Sequence, residues 1–199
     1  MNPADQLPRV FQVNIERFYQ RVVAMVLDQL PLHGRLATGE AGNLDEFLTR
    51  CAEQVDNHTA FEAAKAFALI LDGQFERQLC RWAQAQGAQP RSMETALPAC
   101  ARIAGLDLDA IGLADDLKEL HLVANVVRHG DGRSCTELQV LAPSLWNAGA
   151  IDYVDLAPGW TPASEMMRIR AEDLRRYARA IIRFWGHADP LPMAVTDPP

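Results

Sequence analysis

The feature that most constrains the fold is a stretch of helical character that runs from Asn43 to Gln86. Asn43 is a favourable helix N-cap, and two acidic residues in the following turn complement the helix dipole. The most apolar part of the chain, Phe61–Trp82, lies inside this stretch and is predicted to be a core helix. A break near residues 57–59 is left open. Such a helix needs other elements around it to bury its apolar face, which favours a helical bundle.

The spacing of apolar residues predicts four further helices, with glycines and prolines at their ends: Leu7–Leu30, Arg91–Ala104, Leu113–His129 and Ala171–Trp185. Before the last of these, the chain becomes rich in Pro and Gly and carries three short strand candidates: Leu138–Leu141, Ile151–Val154 and Met166–Ile169. We therefore predict a mainly α fold, a helical bundle of about five to six helices with a small irregular or β-hairpin insertion before the last helix.

The length of 199 residues fits one domain. We assign residues 1–186 to a single helical domain with an irregular insertion at 134–169. The Pro-rich tail, 187–199, is predicted to be disordered.

The charge and the cysteines limit the class of protein. A net charge of −7 disfavours a general nucleic-acid coat, although a local basic patch leaves RNA open as a substrate. The four cysteines have no zinc-ligand spacing and are predicted to be reduced thiols. The chain begins without the pattern of a secretory signal and has no apolar run of about 20 residues, the length of a membrane span. We therefore expect a cytoplasmic protein that does not enter membranes.

The most informative segment is the helix that ends at His129. Its apolar residues share one face, while Lys118, His121, Asn125 and His129 follow at steps of three or four and form a polar stripe, with Arg128 beside it. Asn is unfavourable inside helices and often indicates a fixed hydrogen bond. The alternative interpretation, that the stripe is the solvated side of the helix, is equally open at this point.

The groups at the end of this helix are suited to phosphate binding and to catalysis at phosphodiesters. Histidine can carry a proton at neutral pH, and arginine can stabilise charge on phosphate oxygens. Gly130 and Gly132 would let the backbone approach a ligand closely. A metal site is disfavoured because His121 and His129 lie roughly 12 Å apart along a helix axis. No metal or other cofactor is expected.

The sequence Glu119-Leu120-x-Leu122-x-x-Asn125-x-x-Arg128-His129-Gly130-Asp131-Gly132 resembles the C-terminal helix motif of HEPN domains (higher eukaryotes and prokaryotes nucleotide-binding). The resemblance implies a compact helical bundle, commonly dimeric, and often a metal-independent ribonuclease of toxin–antitoxin or anti-phage systems. It assigns His129 to the family's catalytic histidine and Asn125 to its polar position. The family's arginine falls on Ala124, and Arg128 is the candidate substitute.

Two function hypotheses follow from this resemblance. In the first, the chain is a homodimeric defence or toxin protein that binds or cleaves RNA or nucleotide phosphates, with an antitoxin as a further partner. His129, Asn125 and Arg128 would be catalytic, and His121, Lys118 and Asp131 would bind substrate. In the second, the motif is structural and the chain is a catalytically silent helical interaction module.

Two features elsewhere bear on these hypotheses. Asp72 lies in an apolar run, and either it or Glu76 could face Arg128 or His129 across the bundle; the favoured alternative is that both acids share an exposed edge. The arginines of the last helix are interpreted as a solvated face that offsets nearby acids. The sharper alternative is a phosphate-binding strip next to His129.

Overall fold

The computed structural model describes residues 3–34, 41–147 and 161–198, and within these ranges the chain forms six helices and no strand. Helix α1 starts as Leu7–Phe18 and continues through a π segment, Tyr19–Val23, into Ala24–Leu27. The others are α2 (Leu44–Ala85), α3 (Met93–Ala104), α4 (Ala114–His129), α5 (Arg133–Leu141) and α6 (Ala171–Ala188). The prediction of a mainly α bundle is confirmed.

Helix α2 is a single continuous helix, so the break left open near residues 57–59 does not occur. The side chain of Asn43 caps it by accepting a hydrogen bond from the Glu46 backbone N–H at 2.9 Å. The buried residues of α2 begin at Gln54 and recur to Ala83. Its first turns lie outside the core and leave large apolar side chains exposed: Leu44, Phe47, Leu48 and Val55.

Helix α2 is surrounded by α3, α4 and α6, while α1 packs along α6. The centre of the core is the indole of Trp185 on α6. It makes edge-to-face contacts with Phe11 of α1 and with Phe75 and Trp82 of α2, with ring centroids 5.0–6.0 Å apart. Its N–H donates to the side-chain oxygen of Gln78 at 2.9 Å. Buried aromatic rings and a satisfied polar group thus fix the crossing of three helices.

The predicted insertion is partly helical. Leu138–Leu141, a strand candidate, belongs to helix α5, which buries Cys135 and Leu138 one turn apart and packs on α4. Met166–Ile169 is irregular rather than a strand, and Ile151–Val154 lies outside the described residues. The Trp146 indole N–H donates to the Ala163 carbonyl at 2.7 Å and so ties the two described ends of this region together.

The C-terminal segment is packed, in contrast to the disordered tail predicted from residue 187. Helix α6 extends to Ala188, and residues 189–198 fold back against α1. The buried Asp189 carboxylate accepts from Arg9 at 2.8 Å, and Gln12 donates to the Val195 carbonyl at 2.7 Å. Composition alone did not reveal these long-range partners.

The four cysteines are free thiols, as predicted. In the part of the chain that the structure describes, no helix has the length and the apolar character to cross a membrane.

Gly186→Ala tests whether the packed C-terminal segment contributes to stability. A Cβ atom at Gly186 would lie 2.1 Å from the Val195 carbonyl oxygen, so the segment must move. We expect a loss of about 1–3 kcal/mol in the free energy of unfolding, the usual cost of overpacking, measured by urea titration. We also expect faster proteolysis of residues 189–198.

Gly73→Ala is the matched control, since it lies in helix α2 and its Cβ would meet only the flexible end of the Arg77 side chain at 3.2 Å. It should leave stability unchanged or raise it by up to about 1 kcal/mol through helix propensity. Equal effects of the two variants would contradict the role of the segment.

Candidate functional site

Four polar side chains form a closed ring of hydrogen bonds between α2 and α4. Asp72 of α2 is fully buried. One of its carboxylate oxygens lies 3.1 Å from His121 Nδ1, and the other accepts from Arg128 at 2.9 Å. The Arg128 guanidinium also donates to Asn125 Oδ1 at 3.5 Å, and Asn125 Nδ2 lies 3.2 Å from His121 Nε2. Each member therefore contacts two others.

The helix geometry explains why these residues meet. His121, Asn125 and Arg128 are separated by four and three positions, so they lie on one face of α4. That face is turned toward the middle of α2, where Asp72 lies between the buried residues Leu71 and Phe75. The hypothesis that Asp72 faces Arg128 across the bundle is confirmed, and its placement on an exposed edge is wrong.

The ring selects one form of the His121 imidazole. A carboxylate can only accept, so Nδ1 donates its hydrogen to Asp72. Nε2 then carries the lone pair, which accepts from the Asn125 amide, while the amide oxygen accepts from Arg128. In this neutral form every polar group of the ring has a partner, as a buried polar network requires.

The pKa of His121 is raised above its ordinary value, chiefly by the hydrogen bond to Asp72, and burial opposes this effect. Glu94 of α3 adds to it from the other side, since its carboxylate lies 3.6 Å from Nε2. When the imidazole is protonated, Nε2 can no longer accept from Asn125, and Glu94 becomes its acceptor. Glu94 is largely exposed and had no sequence signal, because an acid in the first turn of a helix is common.

Arg128 and His129 differ in their surroundings although they are adjacent. The Arg128 side chain is 35% exposed, with one edge held by Asp72 and Asn125. His129 is exposed at the end of α4 and makes no hydrogen bond or ion pair with the described residues. One residue step turns the side chain by about 100°, which directs Arg128 toward α2 and His129 toward solvent.

The other two predicted contact residues are engaged elsewhere. Lys118 forms an ion pair with Glu137 of α5 at 2.7 Å. Asp131 accepts from the backbone N–H groups of Ala163 and Ser164 at 3.2 and 2.7 Å, which lowers its pKa. In the structure, Asp131 anchors the chain that leads into α6.

The sequence did not indicate a second polar network, which is partly buried between α4 and α6. Glu119 accepts from Arg176 at 2.6 Å and from the Tyr177 hydroxyl at 2.6 Å, and Arg176 also pairs with Asp116. The buried Tyr177 has a raised pKa, mainly through desolvation. These contacts support the interpretation that the arginines of the last helix offset nearby acids.

The described residues contain no group of three or more His, Cys, Asp or Glu side chains that could hold a metal ion. No protein-family model matches the chain, and no curated protein and no solved structure is significantly similar to it.

Asp72→Asn tests the ring. Loss of the carboxylate leaves Arg128 without its charged partner and removes the main cause of the raised His121 pKa, which should therefore fall. We expect a loss on the order of 3 kcal/mol in the free energy of unfolding, as for other broken buried pairs. An NMR titration of His121 and a urea titration measure the two effects.

The contribution of His121 to the free energy of unfolding changes with pH in a defined direction. Because the folded-state pKa of His121 is raised, its contribution to stability is fully present below the pKa of free histidine, near 6.5, and is lost as the pH rises through the folded value. Asp72→Asn should weaken this dependence strongly, with the contribution of Glu94 remaining. Glu76→Gln, one turn away on α2 and outside the ring, is the control and should retain it; loss in both variants would contradict the assignment.

Proposed function

We propose that this chain is a HEPN-like protein that binds or acts on RNA or nucleotide phosphates at the end of α4, in a toxin or anti-phage defence setting. The observation that carries the proposal is the guanidinium of Arg128, which is fixed on one edge by a buried carboxylate and open to solvent on the other. The exposed His129 imidazole follows it directly in the chain.

The ring supports a phosphate-binding role for Arg128. A guanidinium that is already held in place loses little side-chain freedom when it binds, so more of the interaction free energy is available for the ligand. Its free N–H groups can donate to phosphate oxygens. In this proposal Asn125 and His121 position Arg128 and do not themselves contact the ligand.

His129 supplies the acid–base chemistry of the proposal. An exposed imidazole can take a proton from an RNA 2′-hydroxyl or give one to the leaving oxygen. Cleavage of this kind balances without a metal ion, since the 2′-oxygen displaces the 5′-oxygen at phosphorus while protons pass through side chains. His129 would be the catalytic residue and Arg128 the phosphate contact.

A specific observation favours the second candidate, a catalytically silent interaction module. Ala124 occupies the position that the resemblance assigns to the family's arginine, and it is fully buried on the core side of α4. A residue at this position cannot reach a phosphate bound at the solvent side. The ring would then serve to hold α2 against α4.

Substitutions of His129 and Arg128 distinguish the RNA-binding or cleaving protein from the silent interaction module. The wild type, His129→Ala and Arg128→Gln are incubated with total RNA in the presence of EDTA, and their affinity for a fluorescent RNA oligonucleotide is measured against salt. If the proposal holds, His129→Ala loses cleavage while retaining binding. Arg128→Gln should bind about ten-fold more weakly, with a salt slope smaller by about one, as for the loss of one phosphate contact.

Arg21→Gln is the charge-matched control, since Arg21 is exposed on α1 and lies far from α4 in sequence. It should bind and cleave like the wild type. Absence of cleavage and of binding in the wild type would overturn the proposal and favour the silent module. Binding without His129-dependent cleavage would keep the RNA-binding role and remove the catalytic one.

We further propose that the chain forms a homodimer and binds an antitoxin as a further partner. The exposed apolar side chains at the start of α2 support this proposal. Leu44, Leu48 and Val55 recur at helical spacing there, with Phe47 beside them, and such a stripe on a helix usually packs against another helix.

Light scattering after size exclusion tests the homodimer. We expect a particle of twice the 22.1 kDa chain mass. Phe47→Glu should shift it to the monomer, because a buried carboxylate in an apolar interface is costly. Val140→Glu is the control: Val140 is an apolar residue on α5 that is 81% exposed, and its replacement should leave the mass unchanged. A monomeric wild type would contradict this part of the proposal.

A further inference from the structure

A cavity of about 350 Å³ lies between α1 and α6, on residues that the proposed function does not use. Its walls come from both helices and from Pro198 of the C-terminal segment. Tyr19 and Ala24 of α1 line one side, and Arg175, Arg179 and Ile182 of α6 line the other. Cavities of this size hold small organic molecules.

The π segment shapes one wall of this cavity. The backbone N–H of Ala24 bonds to the carbonyl of Tyr19, five residues earlier, instead of four. In a regular α-helix residues five apart point in different directions, whereas a π turn brings them closer to one face, and Tyr19 and Ala24 both line the cavity here. Such turns are frequent at functional sites.

The cavity has two arginines on one wall and a glutamate on the other. Arg175 and Arg179 lie one turn apart on α6, and Arg175 forms no hydrogen bond or ion pair with another described residue. Arg179 is engaged by the C-terminal segment, through the Asp197 carboxylate at 3.0 Å. On the opposite wall, Glu16 accepts from Gln20 at 3.3 Å.

The remaining surfaces of the cavity can contact the apolar part of a small molecule. Ala24, Ala178 and Ile182 provide aliphatic contacts, and the half-buried ring of Tyr19 lies beside them. Burial raises the pKa of the Tyr19 hydroxyl, and Arg175 opposes this shift while Asp28 and Glu172 add to it. The phenol therefore stays neutral at physiological pH and can donate a hydrogen bond to an anion held by Arg175.

We propose that this cavity binds a small organic anion, with a phosphate-ester or carboxylate head group on Arg175 and Arg179 and an apolar body between Tyr19 and Ile182. Glu16 provides an acceptor for a polar hydrogen on that body and disfavours a bare inorganic dianion. The Asp197 carboxylate occupies Arg179 in the free protein and competes with the head group. The C-terminal segment thus lowers the affinity of the cavity for its ligand.

Phenyl phosphate and benzoate are the probes, titrated into the full chain by calorimetry and by NMR of the Ala24, Ala178 and Ile182 methyl groups. We expect at least one of them to bind and to shift these methyl signals. Arg175→Gln should weaken binding about ten-fold, the usual effect of a lost charge-assisted hydrogen bond. Asp197→Asn should strengthen it several-fold because the competing carboxylate is gone.

Arg102→Gln is the matched control, since Arg102 is an exposed arginine of α3 that does not line the cavity, and it should bind the probe like the wild type. Ala24→Leu, which adds bulk at a residue that lines the cavity, should abolish binding while Arg175 is kept. The inference is overturned if neither probe shifts the methyl signals, if Arg175→Gln binds as tightly as the wild type, or if inorganic phosphate binds as well as phenyl phosphate.

Discussion

A carboxylate with no exposure to solvent is unfavourable unless cationic and hydrogen-bonding groups surround it, and the position of Asp72 makes this requirement central to the structure. Its partners both come from α4, so α4 can pack on α2 in only one rotation and one register. The Arg128 side chain is fixed by the same contacts. The requirement of one buried acid therefore sets the helix packing and also the direction in which the proposed phosphate contact faces.

The helices follow from short-range patterns and were predictable for that reason. Asn43 caps α2 as expected, and the apolar face that begins at Phe61 is buried. The errors lie where distant contacts decide the structure. Leu138–Leu141 alternates like a strand but belongs to a helix that buries Leu138 and packs on α4, and the Pro-rich tail is held by partners on α1 that are distant in sequence.

In the candidate site, too, short-range patterns were predictable and contacts between distant residues were not. Helical spacing placed His121 and Asn125 on one polar stripe with Arg128 beside it. Burial of Asp72 against Arg128 was one hypothesis from its apolar run, although an exposed edge was the favoured alternative. The sequence did not predict which histidine Asp72 would contact, because that depends on the rotation of α4 about its axis. Similarly, Asp131 could be recognised as polar, but its use as a backbone anchor depends on residues 163 and 164.

Helix α2 has one hydrogen-bonding pattern and two environments. Its first turns bury no side chain before Gln54, while the part from Phe61 onward lies in the centre of the bundle. A helical segment that buries little side-chain surface is only marginally stable in water, so we expect the first turns to open at a lower free energy than the rest of the same helix. The rigid half carries Asp72 and keeps the ring in place. The first turns can bend, fray or engage another surface without transmitting that change to the ring.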